Sequence, residues 1–153
     1  MCARSQPPFA LSVDVEDYFQ VQAFAPRIAR EDWPRFPPRV EGNVDRLLDL
    51  FDETGARGTF FVLGWIARRH PALVQRIARR GHEIASHGMS HRMITELTPS
   101  EFREEAVDSR ILLEDLAGSP VIGYRAPSYS VNRSTLWALE VLRDSGYAYD
   151  SSI

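Results

Sequence analysis

The sequence predicts an α/β protein: a parallel sheet with helices packed outside it, of the β/α barrel type. Three observations predict it. Short apolar, β-branched runs alternate with amphipathic stretches of helical period along the chain. The β-like runs lack strict alternation, as in 58–63 (Gly-Thr-Phe-Phe-Val-Leu), which suits strands buried on both faces. Polar residues recur at the ends of these runs, at 14–17, 87–91, 125–129 and 150–152, and right-handed crossovers would bring them to one face.

Taken in order, residues 9–13 (Phe-Ala-Leu-Ser-Val) read as the first strand. A long irregular connection, residues 18–39, is rich in Phe, Pro and Arg. Connections of this length in a compact domain are usually functional, so Trp33, Phe36, Pro37 and Pro38 are expected to form a lid, a groove wall or packing on the barrel rim. Residues 40–54 read as a helix, with Val44, Leu47, Leu48 and Phe51 on one face and Gly55 as its stop. The second strand is 58–63, followed by a helical turn over 65–70. Pro71 suits the first position of a helix ending at Arg80, with Gly81 beyond it. The third strand is 82–87. Thr98, Pro99, Ser100 and Glu101 have capping-box spacing and open a helix through Phe102, Ala106, Leu113 and Leu116 to Gly118. A fourth strand over 121–126 precedes a helix marked by Leu136, Leu139 and Leu142, capped by Asn132 or Ser134. A fifth strand begins at 147–150.

The residues that carry chemistry sit at strand ends. His87 and His91 are four apart, and three of the chain's four histidines (His82, His87, His91) fall within ten residues. An acidic group, Asp14, Glu16 and Asp17, follows the first strand. Two neutral imidazoles and one carboxylate, with a position left open for water, make a hydrolytic zinc site. A second carboxylate nearby could take the proton from that water. Read blandly, the same residues are loop histidines and a solvated acidic turn. Two strand ends each bearing ligand-type residues favour the metal.

With 153 residues, 44% hydrophobic and 25% charged, the chain fits one domain with a real core. A net charge of -3 points to neither nucleic acid nor an anionic membrane. Cys2 is the lone cysteine, so no intramolecular disulfide can form. No apolar stretch approaches a membrane span of roughly 18 residues. The first dozen residues, with Pro7 and Pro8, have no signal-peptide character. A cytoplasmic location is the expectation; the oligomeric state is left open.

On these residues the chain, over about 9–153, resembles the polysaccharide deacetylase family of the NodB-homology or carbohydrate esterase 4 type. Asp14 to Phe19 looks like the Asp-Val-Glu-Asp-Tyr-Phe variant of bacterial deacetylases associated with exopolysaccharide and exosortase systems, in place of the usual Thr-Phe-Asp-Asp-Gly. The resemblance implies that Asp14 is the base and that His87 and His91 are the metal histidines. The metal acid is Glu16 or Asp17, with Glu16 favoured because residues two apart on an extended segment point the same way. Arg125 would orient the base, and Pro127 and Tyr129 would line the acetyl groove. Asp150, with Ser151 and Ser152, partly matches a further substrate-binding motif.

What the resemblance implies is a distorted (β/α)7 barrel, here its first five strand–helix units. The implied activity is metal-dependent hydrolysis of a carbon–nitrogen bond, removing acetate from an amino-sugar polysaccharide or its precursor. Zinc is the expected ion, with cobalt or nickel possible, and an N-acetylated carbohydrate the expected partner. The family's Leu-x-His motif, which carries its acid histidine, has no counterpart here. The chain is therefore expected to be the N-terminal part of a longer domain, poorly stable and nearly inactive alone; were it active, His82 would be the first acid to test. Competing functions are a cyclic-amide hydrolase of the allantoinase-like type and a non-catalytic carbohydrate- or metal-binding fragment.

Overall fold

Five strands pair in parallel in chain order: β1 (Ser12–Val15), β2 (Thr59–Val62), β3 (Glu83–Ser86), β4 (Gly123–Tyr124) and β5 (Tyr149–Asp150). The computed structural model describes residues 9–153; Cys2, Pro7 and Pro8 lie outside them. The helices between the strands are α1 (Val40–Thr54), α2 (Gly64–Arg69), α3 (Pro71–Arg79), α4 (Pro99–Ala117) and α5 (Trp137–Asp144). The alternation is that of an α/β parallel sheet. Phe60, Phe61 and Val62 of β2 are all buried, which accounts for their unbroken apolar run.

Local chemistry sets the helix ends. α1 buries Val40, Val44, Leu48 and Phe51 and stops at Gly55, whose φ of 69° is left-handed. α4 starts on a complete capping box between Thr98 and Glu101 with Pro99 in the first turn. α5 departs from expectation: it starts at Trp137 without a side-chain cap. Asn132 Oδ1 instead accepts from Ser134 N–H at 2.9 Å, and Asn132 N–H donates to Thr135 Oγ1 at 2.8 Å, forming a turn ahead of the helix.

The first strand starts three residues and ends two residues later than predicted. Phe9 is 85% exposed and Leu11 44%, while pairing runs from Ser12 with Thr59 to Val15 with Val62. The shift puts Asp14 inside the strand, opposite Phe61. The predicted strand over 121–126 shortens to two residues, Gly123–Tyr124; at its start Val121 N–H donates to Glu114 Oε1 at 3.1 Å rather than to a neighbouring strand.

The long connection of 18–39 folds as three 3-10 turns, Tyr18–Gln20, Gln22–Phe24 and Arg30–Arg35. Three of its aromatics pack together, with Phe24 left exposed: Phe19 stacks on Phe36 at 5.5 Å between centroids, and Trp33 meets Trp65 of α2 edge-to-face at 5.5 Å. Each such pair adds about 0.5–1.5 kcal/mol beyond area burial. Trp33 is buried in this cluster.

His82 precedes β3 and His87 follows it, so His82 lies at the opposite end of the strand from the histidine pair, not beside it as its trial role as an acid required. Its ring packs on Phe51 and Phe60, and its Nδ1 accepts from Gly58 N–H at 3.3 Å. A proton on Nδ1 would oppose that N–H. Burial, followed by the field of Arg57, holds its pKa below the ordinary value; Asp52 opposes them and Arg80 reinforces them. A depressed histidine stabilises the fold fully above its unfolded pKa of about 6.5, and that contribution is lost as pH falls below it. The urea midpoint is therefore expected to fall between pH 7.5 and pH 5, with a shallower fall in His82→Gln. Equal slopes for the two proteins would refute this role.

Candidate metal centre

β1 carries Asp14, and the chain just beyond it carries Glu16 and Asp17, but the two later acids part company. Asp17 is 3% exposed and turns to backbone. Its Oδ1 accepts from Tyr18 N–H at 3.0 Å, and its Oδ2 from Arg39 N–H at 2.7 Å and Val40 N–H at 3.1 Å. It thereby caps the first 3-10 turn and the start of α1 together. Glu16 turns the other way. Its Oε2 lies 2.7 Å from His91 Nε2 and 3.9 Å from His87 Nε2. Ligand atoms of Glu16, His87 and His91 all lie within 4.8 Å of one another.

Those separations bracket the edge of a zinc tetrahedron, about 3.3 Å for bonds of about 2.0–2.1 Å. Protonation agrees with that use. His87 Nδ1 is 2.8 Å from the Arg125 carbonyl, which can only accept, so the neutral ring carries its hydrogen there and leaves Nε2 free. Burial keeps the His87 pKa low, against the raising fields of Asp14 and Glu16. For Glu16, burial pushes the pKa up, but the contact with His91 and the fields of both histidines outweigh it and leave it lowered. Oε2 is buried and meets no donor in hydrogen-bonding alignment among the described residues. An anionic oxygen without a donor beside a free imidazole nitrogen suits a cation.

The histidine loop is held from several sides. Gly88 and His91 adopt left-handed φ values of 74° and 56°; for a histidine this costs about 1–3 kcal/mol. Glu105 of α4 accepts from Met89 N–H at 3.0 Å and Ser90 N–H at 2.9 Å, and from the Ser90 hydroxyl. Arg30 of the long connection donates to the Ser90 carbonyl at 3.0 Å and the His91 carbonyl at 3.2 Å. Gly64 N–H donates to the Gly88 carbonyl at 2.8 Å, and a Cβ on Gly64 would lie 2.4 Å from Met89 Sδ, so α2 docks closely only through glycine. Neither Glu105 nor Arg30 stood out in the sequence, where each looks like a solvated charge. Glu105→Ala is expected to weaken metal affinity about 10–100-fold without removing any of the three donor side chains. Titration calorimetry checks this, and unchanged affinity would make the clamp irrelevant to the site.

Asp14 stands beside this group in a separate ion pair. Arg125 Nη1 donates to Asp14 Oδ1 at 2.7 Å, and Nη2 to Ser12 Oγ at 3.0 Å and Ser151 Oγ at 2.9 Å. Its Nε donates to the Ser151 carbonyl at 3.2 Å, and the guanidinium lies 4.0 Å over the Phe61 ring. All sides of the fork are thus committed, which fixes its plane.

The remaining predicted residues are spread along the same rim. Pro127 is buried, and Tyr129 is 65% exposed; Ser128 and Tyr129 both have positive φ, 54° and 49°. Asp150 accepts from the Ser152 hydroxyl at 2.6 Å, and Ser152 Oγ accepts from Ala126 N–H at 2.7 Å. Asp150 therefore braces the segment that carries Arg125 and Pro127. No helix among the described residues is long and apolar enough to cross a membrane.

Comparison with known proteins bears on this geometry. The sequence model of the polysaccharide deacetylase family matches residues 31–149. A peptidoglycan deacetylase-like protein of Gibberella zeae is 34% identical over 113 residues, 72% of this chain and 32% of that protein. A peptidoglycan deacetylase of Helicobacter pylori is 30% identical over 113 residues, 74% of this chain and 38% of its own. Among solved structures, that of a candidate polysaccharide deacetylase from Mycobacterium smegmatis superposes with a TM-score of 0.73 at 34% identity, covering 94% of this chain and 50% of the other. The chain spans about a third to a half of the length of the curated relatives it matches.

Proposed function

The chain belongs to the polysaccharide deacetylase family, and from that premise we propose that its strand ends form the catalytic face of a metal-dependent N-deacetylase acting on an amino-sugar polysaccharide or its precursor. The observation that carries the proposal is the meeting of Glu16, His87 and His91 beside the Asp14–Arg125 pair. Peptidoglycan and chitooligosaccharide deacetylases among the relatives make N-acetylated glycans the substrate class to test first.

Glu16, His87 and His91 would hold a divalent ion, with zinc the first choice for a set of two imidazoles and one carboxylate. When bound, such an ion polarises a carbonyl and makes water nucleophilic near neutral pH. The protein's own part is proton handling and orientation. Asp14 takes the proton of the attacking water. Arg125, held by Ser12 and Ser151, keeps the Asp14 carboxylate facing one way. Tyr129 and Pro127 would line the acetyl group, and Asp150 supports that segment through Ser152.

The test is acetate release from N-acetylated chitooligosaccharides and from peptidoglycan by the purified gene product. Release with Zn²⁺ or Co²⁺, its loss on chelation and its return on re-addition are expected. Release that is indifferent to chelation would refute the metal-dependent proposal.

A further inference from the structure

The histidine loop is held from inside the fold as well as from its flank, and the inner hold is a run of buried hydroxyls. Ser86 ends β3 immediately before His87, and Ser109 lies in the middle of α4; both are 0% exposed. Their oxygens are 2.7 Å apart, and Gly88 N–H donates to Ser86 Oγ at 3.1 Å. Ser109 Oγ donates in turn to the Ala106 carbonyl, one helical turn back, at 3.1 Å. The bonds then run in one sense, from Gly88 N–H to Ser86, from Ser86 to Ser109 and from Ser109 to the carbonyl. Each hydroxyl hydrogen has an acceptor, as burial requires. Tyr147 closes the cluster by donating to the same carbonyl at 2.8 Å.

Packing alone does not call for these hydroxyls. A pair of alanines would occupy nearly the same space, and replacing both partners of a buried hydrogen bond by apolar groups is often close to neutral. What the serines add is an acceptor for Gly88 N–H, in the left-handed turn that separates His87 from His91. α4 therefore grips the loop twice. Glu105 and Ser109 lie four residues apart on one helix face. Glu105 takes the N–H groups of Met89 and Ser90, and Ser109 holds the serine that takes Gly88 N–H. Three successive N–H groups of the loop thus depend on one helix. The grip through Ser109 lies in the dry interior, where a hydrogen bond is strongest.

Resting on the metal centre proposed above, we propose that Ser86 and Ser109 are positioning residues for it. Their hydroxyls fix the Gly88 turn and thereby the approach of the His87 and His91 imidazoles to each other. Ser109 acts only through Ser86.

The test compares zinc affinity by calorimetry with urea unfolding in Ser86→Ala, Ser109→Ala and the double variant. Leu113→Val is the control: it weakens the buried packing of α4 one turn beyond Ser109 and leaves every hydroxyl in place. All four variants are expected to unfold at lower urea. Ser86→Ala should weaken zinc binding about tenfold, the low end of what supporting residues contribute, and Ser109→Ala by less. The double variant should bind zinc as Ser86→Ala does, because Ser109 has no other route to the loop. Leu113→Val should bind it as the wild type does. Unchanged affinity in either serine variant, losses that add in the double variant, or an equal loss in Leu113→Val would overturn the proposal. If Ser86→Ala fails to fold, Ser109→Ala against Leu113→Val decides: weaker binding in the first alone supports the proposal, and any other result overturns it. Wild-type protein that binds no zinc would instead remove the metal centre. Hydrogen exchange at the Gly88 amide of the metal-free protein then judges the hydroxyls: faster exchange in Ser109→Ala than in Leu113→Val supports their hold on the loop, and equal exchange overturns it.

Discussion

Replacing Asp14 by Asn is expected to cut acetate release by about 10²–10⁴-fold while zinc or cobalt still binds at one ion per protein. Asn keeps the shape and an oxygen to accept from Arg125 Nη1, now at 2.7 Å, but its amide cannot take a proton from water. Metal binding should survive because Asp14 is not a member of the Glu16, His87 and His91 group. Arg125→Lys should fall between wild type and Asp14→Asn, since an ammonium retains the charge but cannot reach Asp14, Ser12 and Ser151 in one plane. Two results would count against the assignment. Loss of metal together with activity would make Asp14 a ligand. Acetate release at the wild-type rate would remove it from proton transfer.

How much of this could be read from the chain follows the range of the forces involved. α1 begins and ends as its apolar period and Gly55 indicate, and α4 starts on the capping box that Thr98 and Glu101 announce, because both signals are local. Strand ends were less legible. Phe9 and Leu11 look like strand residues, yet β1 starts at Ser12, since pairing partners on β2 begin at Thr59. The alternation of Cβ direction along an extended segment favours Glu16 over Asp17 as the acid on Asp14's side, and Glu16 is the acid that lies against the histidines. What Asp17 does instead was not legible, because its partners, Arg39 and Val40, are more than twenty residues away. Glu105 and Arg30 escaped notice because their partners too are distant in sequence. Each acts through a tertiary contact or a local turn that periodicity does not encode.

Alanine at His87 or at His91 is expected to reduce zinc binding from one ion per protein to none detectable by calorimetry. Three donors are a minimal set for a hydrolytic site, and the two that remain cannot enclose the ion. The two acids provide the sharper comparison, because they are neighbours in sequence with opposite surroundings. Glu16→Ala removes a buried oxygen 2.7 Å from His91 Nε2, so it should abolish tight binding and leave the fold intact. It removes a charge whose burial is unfavourable without a cation. Asp17→Ala should do the reverse. It strips the acceptor from the backbone N–H groups of Tyr18, Arg39 and Val40, at about 1–3 kcal/mol of stability, while the metal stoichiometry stays at one. Calorimetry for the ion and urea unfolding for the fold separate the two effects. Metal lost in Asp17→Ala and retained in Glu16→Ala would exchange their roles, and metal retained in all four variants would mean that the ion binds elsewhere.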